Sequence, residues 1–270
     1  MGEKDEGFRT ELLGGVPVEV WEPAQDAGIP ADSVVIVHGF WAWSYHLRVL
    51  ARPIVQAGFR VYSLSLRGHH PEYPVPLIGK VPLASYFEDM ERVAAEVPAL
   101  KALIGHSLGG LIALKAAEAV QVPRLVLLSP SPPRGVPFPK SPDAAVGLLR
   151  HSREILFGLP MIPDFWIARR TFLRGLPPEK QKSLYRSMVH DSGTALRETA
   201  FTQMPVAFQD VKARTLVLIG DDDNVTPPPA ARRTAEFLRA EFKSFPHTGH
   251  HLMETPAWPA IVTEILRFLA

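Results

Sequence analysis

Residues 103–110 read Leu-Ile-Gly-His-Ser-Leu-Gly-Gly, a stretch that places one serine between two glycines at the end of an apolar run. Its central pentapeptide has the pattern G-x-S-x-G, in which a strand turns sharply into a helix with the serine at the apex. Bulky side chains two residues before and after the serine would clash, so Gly105 and Gly109 are needed there. The pattern predicts that Ser107 has a strained backbone and exposes its hydroxyl beside a helix N-terminus.

The sequence on both sides of the pentapeptide has the order that such a turn requires. Residues 100–104 form a short apolar run typical of a buried strand, and apolar residues recur at helical spacing from Leu108 to Val120. Strand, turn and helix therefore follow one another along the chain. An ordinary Gly/Ser turn before a helix remains the alternative interpretation.

Apolar, β-branched runs recur along the chain with helical patterns between them. This alternation is typical of a mostly parallel sheet with helices on both faces, so we predict an α/β fold. The predicted strands are Val16–Trp21, Val34–Val37, Arg60–Leu64, Leu100–Ile104, Leu125–Leu128, Thr215–Ile219 and Phe242–Phe245. The predicted helices are Ser44–Ala57, Ala84–Val97, Ser107–Val120, Pro229–Ala240 and Trp258–Leu269.

The alternation breaks after Pro130, where a proline-rich bridge begins and no convincing strand pattern follows until about residue 210. Helical patterns cover residues 144–156, 163–173, 178–190 and 192–208 instead. We predict a core made of residues 1–130 and 211–270, interrupted by a helical cap or lid of residues 131–210. The cap is rich in aromatic and aliphatic residues, so one face is expected to roof an apolar pocket. Packing of the cap helices against each other is the alternative for many of these residues.

Composition excludes several classes of protein. The 270 residues carry a formal net charge of +1 without a block of lysine or arginine, so we expect no nucleic-acid partner. Cysteine is absent, which excludes disulfides, thiolate zinc sites and a cysteine nucleophile. The opening segment, residues 1–7, is polar, and no apolar run approaches the ~18 residues of a membrane span. We therefore expect a soluble, cytoplasmic protein without stable membrane insertion.

Four further motifs accompany the serine. Residues 35–40 read Val-Ile-Val-His-Gly-Phe, and residues 64–70 read Leu-Ser-Leu-Arg-Gly-His-His. Residues 216–227 read Leu-Val-Leu-Ile-Gly-Asp-Asp-Asp-Asn-Val-Thr-Pro, and residues 245–252 read Phe-Pro-His-Thr-Gly-His-His-Leu. With these motifs the chain resembles the α/β-hydrolase superfamily over almost its full length, in particular its lid-bearing serine esterase and lysophospholipase-like branch. The resemblance implies an α/β-hydrolase fold with a helical cap insertion.

The resemblance also implies a catalytic triad in the family's order of serine, acid and histidine. Ser107 corresponds to the nucleophile, and His250, which follows a glycine after the last strand, corresponds to the base. Asp223 aligns with the acid in the turn after the preceding strand. Asp221 and Asp222 remain alternatives for the acid, since the three aspartates are consecutive and turn capping explains the others.

Two loops of the family complete the implied site. The residue after the His-Gly pair and the residue after the nucleophile donate backbone amides to an oxyanion, which assigns this role to Phe40 and Leu108. The loop at residues 64–70 looks like the family's D-x-R-G-x-G loop, but Ser65 stands where Asp is usual and His70 where Gly is usual. These departures leave the implied catalytic residues intact and leave the conformation of the loop open.

Aromatic residues after the His-Gly pair and in the cap favour an uncharged, hydrophobic substrate. The residues predicted to bind this substrate are Trp41, Trp43, His106 and Trp166. For Trp43, packing of the first helix onto the sheet is an equally good interpretation. Arg67 and Arg134 are expected near the pocket mouth as exceptions to its apolar character.

A cluster of three histidines, His247, His250 and His251, raises the question of a metal site. No carboxylate or histidine partner at ligand spacing accompanies the cluster, and the triad already explains His250. We therefore predict neither a metal nor a cofactor.

Serine at the turn argues against two activities of the superfamily, because its dehalogenases and epoxide hydrolases carry Asp there. We predict a serine hydrolase that cleaves carboxylic esters of hydrophobic small molecules through an acyl-enzyme. A C–C bond hydrolase or a lactonase would use the same three residues. A hydrolase-fold protein that binds without turnover is a further alternative. Substrate identity, acyl chain length and oligomeric state remain open.

Overall fold

The computed structural model describes residues 7–24 and 31–270, so residues 1–6 of the polar opening segment lie outside the described part. Ten strands occur in that part of the chain. They are β1 (Phe8–Leu13), β2 (Val16–Trp21), β3 (Ser33–Val37), β4 (Arg60–Leu64), β5 (Leu100–His106), β6 (Arg124–Leu128), β7 (Pro160–Met161), β8 (Asp191–Ser192), β9 (Arg214–Gly220) and β10 (Glu241–Phe245).

Eight of these strands form one sheet in the order β1-β2-β4-β3-β5-β6-β9-β10. The β1–β2 and β2–β4 pairs are antiparallel, and the five other pairs are parallel. The short strands β7 and β8 pair with each other outside this sheet. The predicted mostly parallel sheet is therefore confirmed.

Helices fill the connections between the strands. They are α1 (Arg48–Gln56), α2 (Leu83–Glu96), α3 (Leu108–Ala116), α4 (Pro142–Arg150), α5 (Ser152–Phe157), α6 (Phe165–Arg170), α7 (Pro178–Arg186), α8 (Gly193–Arg197), α9 (Pro228–Leu238) and α10 (Trp258–Leu269). Shorter helical turns occupy Ser44–Leu47, Ile78–Lys80 and Glu198–Thr202. In the described residues, no helix combines the length and apolar character that crossing a membrane requires.

Alternate side chains of the central strands bury opposite faces of the sheet, as the two-residue period of a strand requires. Val35 and Val37 of β3 pack with α2, α3 and α9 in one apolar cluster. Val34 and Ile36 of the same strand pack with α1 and α10 in a second cluster. Because both faces are covered, the strands read as continuous apolar runs, which is why the sequence reveals them.

The main differences from the sequence prediction concern β1, the start of α1, and the strands β7 and β8. β1 is absent from the predicted strands, because it is an edge strand with no buried residue and no regular alternation of apolar and polar residues. The helix predicted over Ser44–Ala57 starts as a 3₁₀ turn and becomes α-helical only at Arg48. Finally, the segment between β6 and β9 was predicted without strands but contains β7 and β8. A two-residue strand is too short to produce a period that the sequence could show.

The chain between β6 and β9 otherwise consists of short helices, as predicted, with different boundaries. The helical pattern of residues 144–156 is divided into α4 and α5 at His151. The pattern of residues 192–208 is divided into α8 and the π-helical turn Glu198–Thr202. The division of the chain into a core and a cap of residues 131–210 remains a prediction.

The turn between β5 and α3 is closed by backbone contacts that leave no space for side chains. A Cβ on Gly105 would overlap the carbonyl oxygen of Gly109. A Cβ on Gly109 would overlap the carbonyl oxygens of Val37 and His38 at the end of β3. Glycine at these two positions therefore brings the loop after β3 into contact with Ser107.

Replacing Gly109 by alanine should lower the free energy of unfolding by about 1–3 kcal/mol or more, because the added methyl group meets rigid backbone atoms. Urea unfolding of Gly109→Ala and the wild type measures the difference. Gly147→Ala is the matched control, since the nearest atoms to its Cβ belong to the side chain of Ile167, at 3.0 Å, and this side chain borders the cavity and not rigid backbone. Equal stability of Gly109→Ala and the wild type would contradict the packing described.

Candidate active site

Ser107 lies at the tip of the turn between β5 and α3 with φ of 57° and ψ of −120°, a conformation that L-residues rarely adopt. Its amide donates to the carbonyl of Leu128 at 2.9 Å, and its carbonyl accepts from the amide of Ser131 at 2.9 Å. The residue is 9% exposed, and its side chain lines a cavity. The backbone strain matches the sequence prediction, whereas the hydroxyl opens into the cavity and not onto an exposed surface.

Two side chains form a hydrogen-bonded chain with Ser107. The Nε2 atom of His250 lies 2.9 Å from Ser107 Oγ, and its Nδ1 atom lies 2.8 Å from Asp223 Oδ2. An ionised carboxylate only accepts, so the Nδ1–H of His250 donates to Asp223 and Nε2 accepts from the hydroxyl of Ser107. The structure therefore brings together the three residues that the sequence proposed as a triad.

The carboxylate of Asp223 is held by the turn that follows β9. Its Oδ1 atom accepts backbone amides from Val225 and Thr226, each at 2.9 Å. Asp223 is buried, whereas Asp221 and Asp222 are exposed. Of the three consecutive aspartates, the structure thus places Asp223 against His250.

A buried histidine orients the first predicted oxyanion amide. Leu66 donates its amide to Nε2 of His38 at 3.1 Å, so the ring proton sits on Nδ1 and donates to the carbonyl of Gly39 at 2.7 Å. Desolvation lowers the pKa of His38 well below its usual value and keeps the ring neutral. The carbonyl of Gly39 and the amide of Phe40 share one planar trans peptide and point in opposite directions. The bond from His38 therefore also sets the direction of the Phe40 N–H.

The second predicted amide belongs to Leu108, the first residue of α3, where helical N–H groups have no partner within the helix. Within the described residues, neither the Phe40 nor the Leu108 amide donates to a protein acceptor. The two loops touch, since a Cβ on Gly39 would lie 2.8 Å from Ser107 Cβ. The two loops that meet at Ser107 thus each carry an amide without a protein acceptor, which is compatible with the predicted oxyanion donors.

Sequence reasoning missed a buried carboxylate that holds the loop after Phe40. Asp191 in β8 accepts the backbone amide of Trp41 at 2.9 Å and the hydroxyl of Tyr86 at 2.9 Å. The Oδ2 atom of Asp191 also lies 2.8 Å from Nε2 of His69. This is an ionic contact whose angles do not meet the geometry of a hydrogen bond. Trp41 has a positive φ of 62°, so this carboxylate stabilises an unfavourable backbone conformation beside the oxyanion amide. No local sequence pattern marks Asp191.

His69 and Asp191 change each other's pKa against the effect of burial. Burial disfavours the charged form of His69, but the neighbouring carboxylate outweighs it and raises the pKa of His69. Burial likewise favours the neutral form of Asp191, but His69 and the donated amides lower its pKa. Each group therefore favours the charged form of the other, so the buried ion pair becomes more favourable as the pH falls.

His106, predicted to bind substrate, lies in the cavity lining and also supports the histidine loop. Its Nε2 atom is 3.0 Å from the carbonyl oxygen of His250. Desolvation lowers the pKa of His106 to about 4, so the ring is neutral and its N–H donates to that carbonyl. His106 thus anchors the backbone of the residue that contacts Ser107.

A mostly apolar cavity lies above Ser107, between the loops after the strands and the segment from β6 to β9. Trp41, predicted to bind substrate, lines it and stacks on Phe172 with ring centroids 5.0 Å apart. Side chains from the segment between β6 and β9 supply much of the remaining wall. The apolar ones include Leu148, Met161, Ile167, Leu184, Met188 and Leu196.

The structure places two other predicted substrate-binding residues outside the cavity lining. Trp43 stacks on Tyr45 at 5.4 Å and donates its indole N–H to the carbonyl of Ser187 at 3.2 Å. Trp166 is 46% exposed, and the guanidinium of Arg170 lies 4.8 Å from its ring centroid. Aromatic character alone gave no indication of the direction in which these rings point.

The loop at residues 64–70 keeps a defined conformation despite its departures from the family pattern. Ser65 Oγ accepts the amide of Ser44 at 3.0 Å and so holds the start of the 3₁₀ turn. Arg67 pairs with the buried Asp89 at 2.6 Å and lies outside the cavity lining. Arg134 is exposed and also outside the lining. The cavity lining thus includes neither of the two arginines that the sequence placed near the pocket mouth.

Comparison with known families gives the fold its name. A model described as the alpha/beta hydrolase family matches residues 34–260. The chain belongs to this family. Its alpha/beta-hydrolase fold, with helices flanking an eight-stranded, mostly parallel sheet, is as predicted. No curated protein sequence matches the chain significantly.

Solved structures of several hydrolases are similar to the chain over nearly their whole length. The monoacylglycerol lipase of Paleococcus ferrophilus has 24% identity and a TM-score of 0.72, covering 94% of this chain and 98% of the lipase. The esterase RhEst1 from Rhodococcus sp. ECU1013 has 20% identity and a TM-score of 0.69, with 97% and 98% covered. The meta-cleavage product hydrolase of Pseudomonas fluorescens IP01 has 17% identity and a TM-score of 0.69, with 96% of each chain covered. At these identities the likeness shows the fold alone.

The described residues contain no group of three or more histidine, aspartate or glutamate side chains arranged to hold a metal ion. The histidines near Ser107 instead have protein partners. His250 contacts Asp223, and His106 contacts the His250 carbonyl.

Changing His69 to glutamine should destabilise the protein more at pH 6 than at pH 9. The pKa of His69 is raised by folding, so its stabilising charge is present below the unfolded pKa of about 6.5 and is lost as pH rises through the folded value. The groups facing the ring are Asp191, neutral His38 and Tyr86. Denaturant unfolding of wild type and His69→Gln at both pH values measures this difference.

Exposed His190 offers a matched control, because His190→Gln removes an imidazole that lies next to Asp191 in sequence. This control should show no comparable pH dependence. A His69→Gln effect of equal size at pH 6 and pH 9 would show that the buried pair does not contribute through charge.

Proposed function

We propose that the protein is a serine hydrolase that cleaves carboxylic esters of hydrophobic small molecules through an acyl-enzyme. The observation that carries this proposal is the chain of hydrogen bonds from Asp223 through His250 to Ser107 at the base of an apolar cavity. Membership of a family of hydrolases supports it, although the fold alone does not determine the reaction.

Acylation would start with attack of Ser107 Oγ on the ester carbonyl carbon. The Nε2 atom of His250 takes the serine proton, while Asp223 keeps the other ring proton on Nδ1 and stabilises the imidazolium. The carbonyl oxygen becomes an oxyanion that accepts the amides of Phe40 and Leu108, each such donor being worth ~10²–10³ in rate. His250 then donates its proton to the leaving alcohol oxygen as the C–O bond breaks.

Deacylation repeats the same steps with water as nucleophile. His250 removes a proton from a water molecule as its oxygen attacks the acyl carbon, and returns the proton to Ser107 Oγ as the acid leaves. The amides of Phe40 and Leu108 again stabilise the oxyanion. Because these groups are positioned by bonds already present in the protein, little reorganisation is needed during the reaction.

The nature of the substrate is proposed from the cavity wall. In addition to the loop carrying Trp41, residues 131–210, which we propose to be a cap, supply apolar side chains such as Ile167 and Met188. Burial of a hydrophobic acyl or alcohol group against these residues would contribute about 25 cal/mol per Å² of apolar surface. A hydrophobic ester therefore fits this cavity better than a strongly polar one.

A C–C bond hydrolase is the second candidate, favoured by the structural similarity to a meta-cleavage product hydrolase. Such a reaction would use the same three side chains on a different electrophile. A panel of p-nitrophenyl esters from C2 to C16, with lactones and a vinylogous diketone, separates these reactions. Faster turnover of the diketone than of any ester would favour the second candidate.

Ser107→Ala should reduce ester hydrolysis by about 10⁵- to 10⁶-fold, because it removes the atom that attacks the carbonyl. The variant should remain folded, since alanine preserves the backbone bonds of the turn, and circular dichroism tests this. Wild-type protein should react with a fluorophosphonate probe and Ser107→Ala should not. Retention of most turnover by a folded Ser107→Ala would end the proposal.

Asp223→Asn should lower kcat by about 10⁴-fold, because an amide at this position favours the wrong tautomer of His250. Asp222→Asn is the matched control one residue away, and it should leave kcat near the wild-type value because Asp222 is exposed. Steady-state kinetics on the best ester of the panel measures both variants. An equal loss in the two variants would remove Asp223 from the proposed mechanism.

A further inference from the structure

The cavity above Ser107 carries an unbalanced positive charge. Among the described residues that line it, Lys140 is the one lysine or arginine, and none is an aspartate or glutamate. Most lining imidazoles are neutral at pH 7, because desolvation lowers the pKa of His38, His46, His106 and His251. His151 lies 3.8 Å from the carboxylate of Asp164, so this ring has an acidic neighbour. The charge that faces the apolar wall is therefore the ammonium of Lys140.

Among the described residues, the ammonium of Lys140 has only uncharged partners. Its Nζ atom donates to the carbonyl of Phe138 at 3.2 Å and lies 3.0 Å from the centroid of the Phe138 ring. No carboxylate of the described residues forms an ion pair with it. Burial lowers the pKa of Lys140 to about 8, and no carboxylate opposes this shift. A partly desolvated cation without a counter-charge gains from binding an anion.

The chain that follows Lys140 adds to the positive potential. Ser141 caps α4 by accepting the amide of Ala144, and Ala144 in the first helical turn also lines the cavity. The N-terminal end of a helix carries a partial positive charge. Asp143 in the same turn is paired with Arg170 at 2.8 Å, so its charge is already compensated.

We propose that Lys140 binds an anionic group of the substrate. Building on the proposed ester hydrolysis, the substrate class becomes hydrophobic esters that carry a carboxylate, sulfonate or phosphate away from the scissile carbonyl. This inference replaces the uncharged substrate expected from the sequence. The cations expected near the cavity, Arg67 and Arg134, lie outside its lining, whereas Lys140 lies in it. The apolar wall binds the hydrocarbon part, and the ammonium selects the charged end.

Matched ester pairs test the proposal by changing only the far end of the acyl chain. The pairs are p-nitrophenyl hexanoate with mono-p-nitrophenyl adipate, and p-nitrophenyl decanoate with mono-p-nitrophenyl sebacate. The selectivity ratio of an enzyme is its kcat/KM for the acid-bearing ester divided by its kcat/KM for the neutral ester of the same pair. This ratio is first measured for the wild type. Lys140→Met should lower this ratio about 10- to 100-fold for at least one pair, mainly through KM, since hydrogen bonds to charged groups have this strength.

Two further variants make the result specific. Lys140→Arg should keep most of the ratio, because it restores a cation at the same place. Lys182→Met removes an exposed lysine paired with Glu179, so it reproduces the change in net charge without altering the cavity. It should keep the wild-type ratio. Equal ratios in the wild type and Lys140→Met for both pairs would overturn the proposal and leave Lys140 as a residue that packs on Phe138.

A binding measurement separates failure of this inference from failure of the proposed hydrolysis. Octanesulfonate is titrated against Ser107→Ala protein and against the Ser107→Ala, Lys140→Met double variant, with octanol as the neutral ligand. Loss of Lys140 should weaken octanesulfonate binding at least tenfold more than it weakens octanol binding. Equal changes for the two ligands would overturn the role of Lys140 even if no ester of the panel is turned over.

Discussion

The contact between the turn at Ser107 and the end of β3 is the constraint on which the rest of the site depends. Gly109 packs directly against the carbonyl oxygens of Val37 and His38, so no side chain separates the two loops. One loop carries the serine hydroxyl and the other carries the amide of Phe40. Their relative position is therefore set by backbone packing in the core and not by flexible side chains. A site held by rigid backbone elements keeps its geometry more precisely than one held by flexible side chains.

Buried histidines have different chemical states in this protein because each has a different partner. His38 and His106 hydrogen-bond to backbone groups, and desolvation keeps both rings neutral, so they act as directed hydrogen-bond donors. His69 lies beside the carboxylate of Asp191, which favours its charged form. His250 lies between a carboxylate and a hydroxyl, which is the arrangement that a general base needs. The partner, and not burial alone, decides what each imidazole does.

How far the sequence predicts the structure depends on whether a feature is local. Gly105, Ser107 and the strand before them are specified by neighbours in the chain, so the turn and the parallel strands were predictable. Asp191 meets the amide of Trp41 across a separation of 150 residues, and Lys140 faces the cavity only because the chain folds back over it. Neither position has a local pattern, and the directions of Trp43 and Trp166 depend on packing in the same way.

The segment between β6 and β9 is attached to the sheet unevenly, and this affects the site beneath it. At β8, the buried carboxylate of Asp191 accepts donors from Trp41 and Tyr86, and breaking this contact would leave an unpaired buried charge. By contrast, α7 has no buried residue, although Leu184 at its inner side lines the cavity. Local opening costs least where little is buried. The wall near α7 is therefore held by contacts of partly exposed residues, such as the bond from the Trp43 indole to the carbonyl of Ser187, whereas a buried carboxylate holds the wall that supports the loop after Phe40.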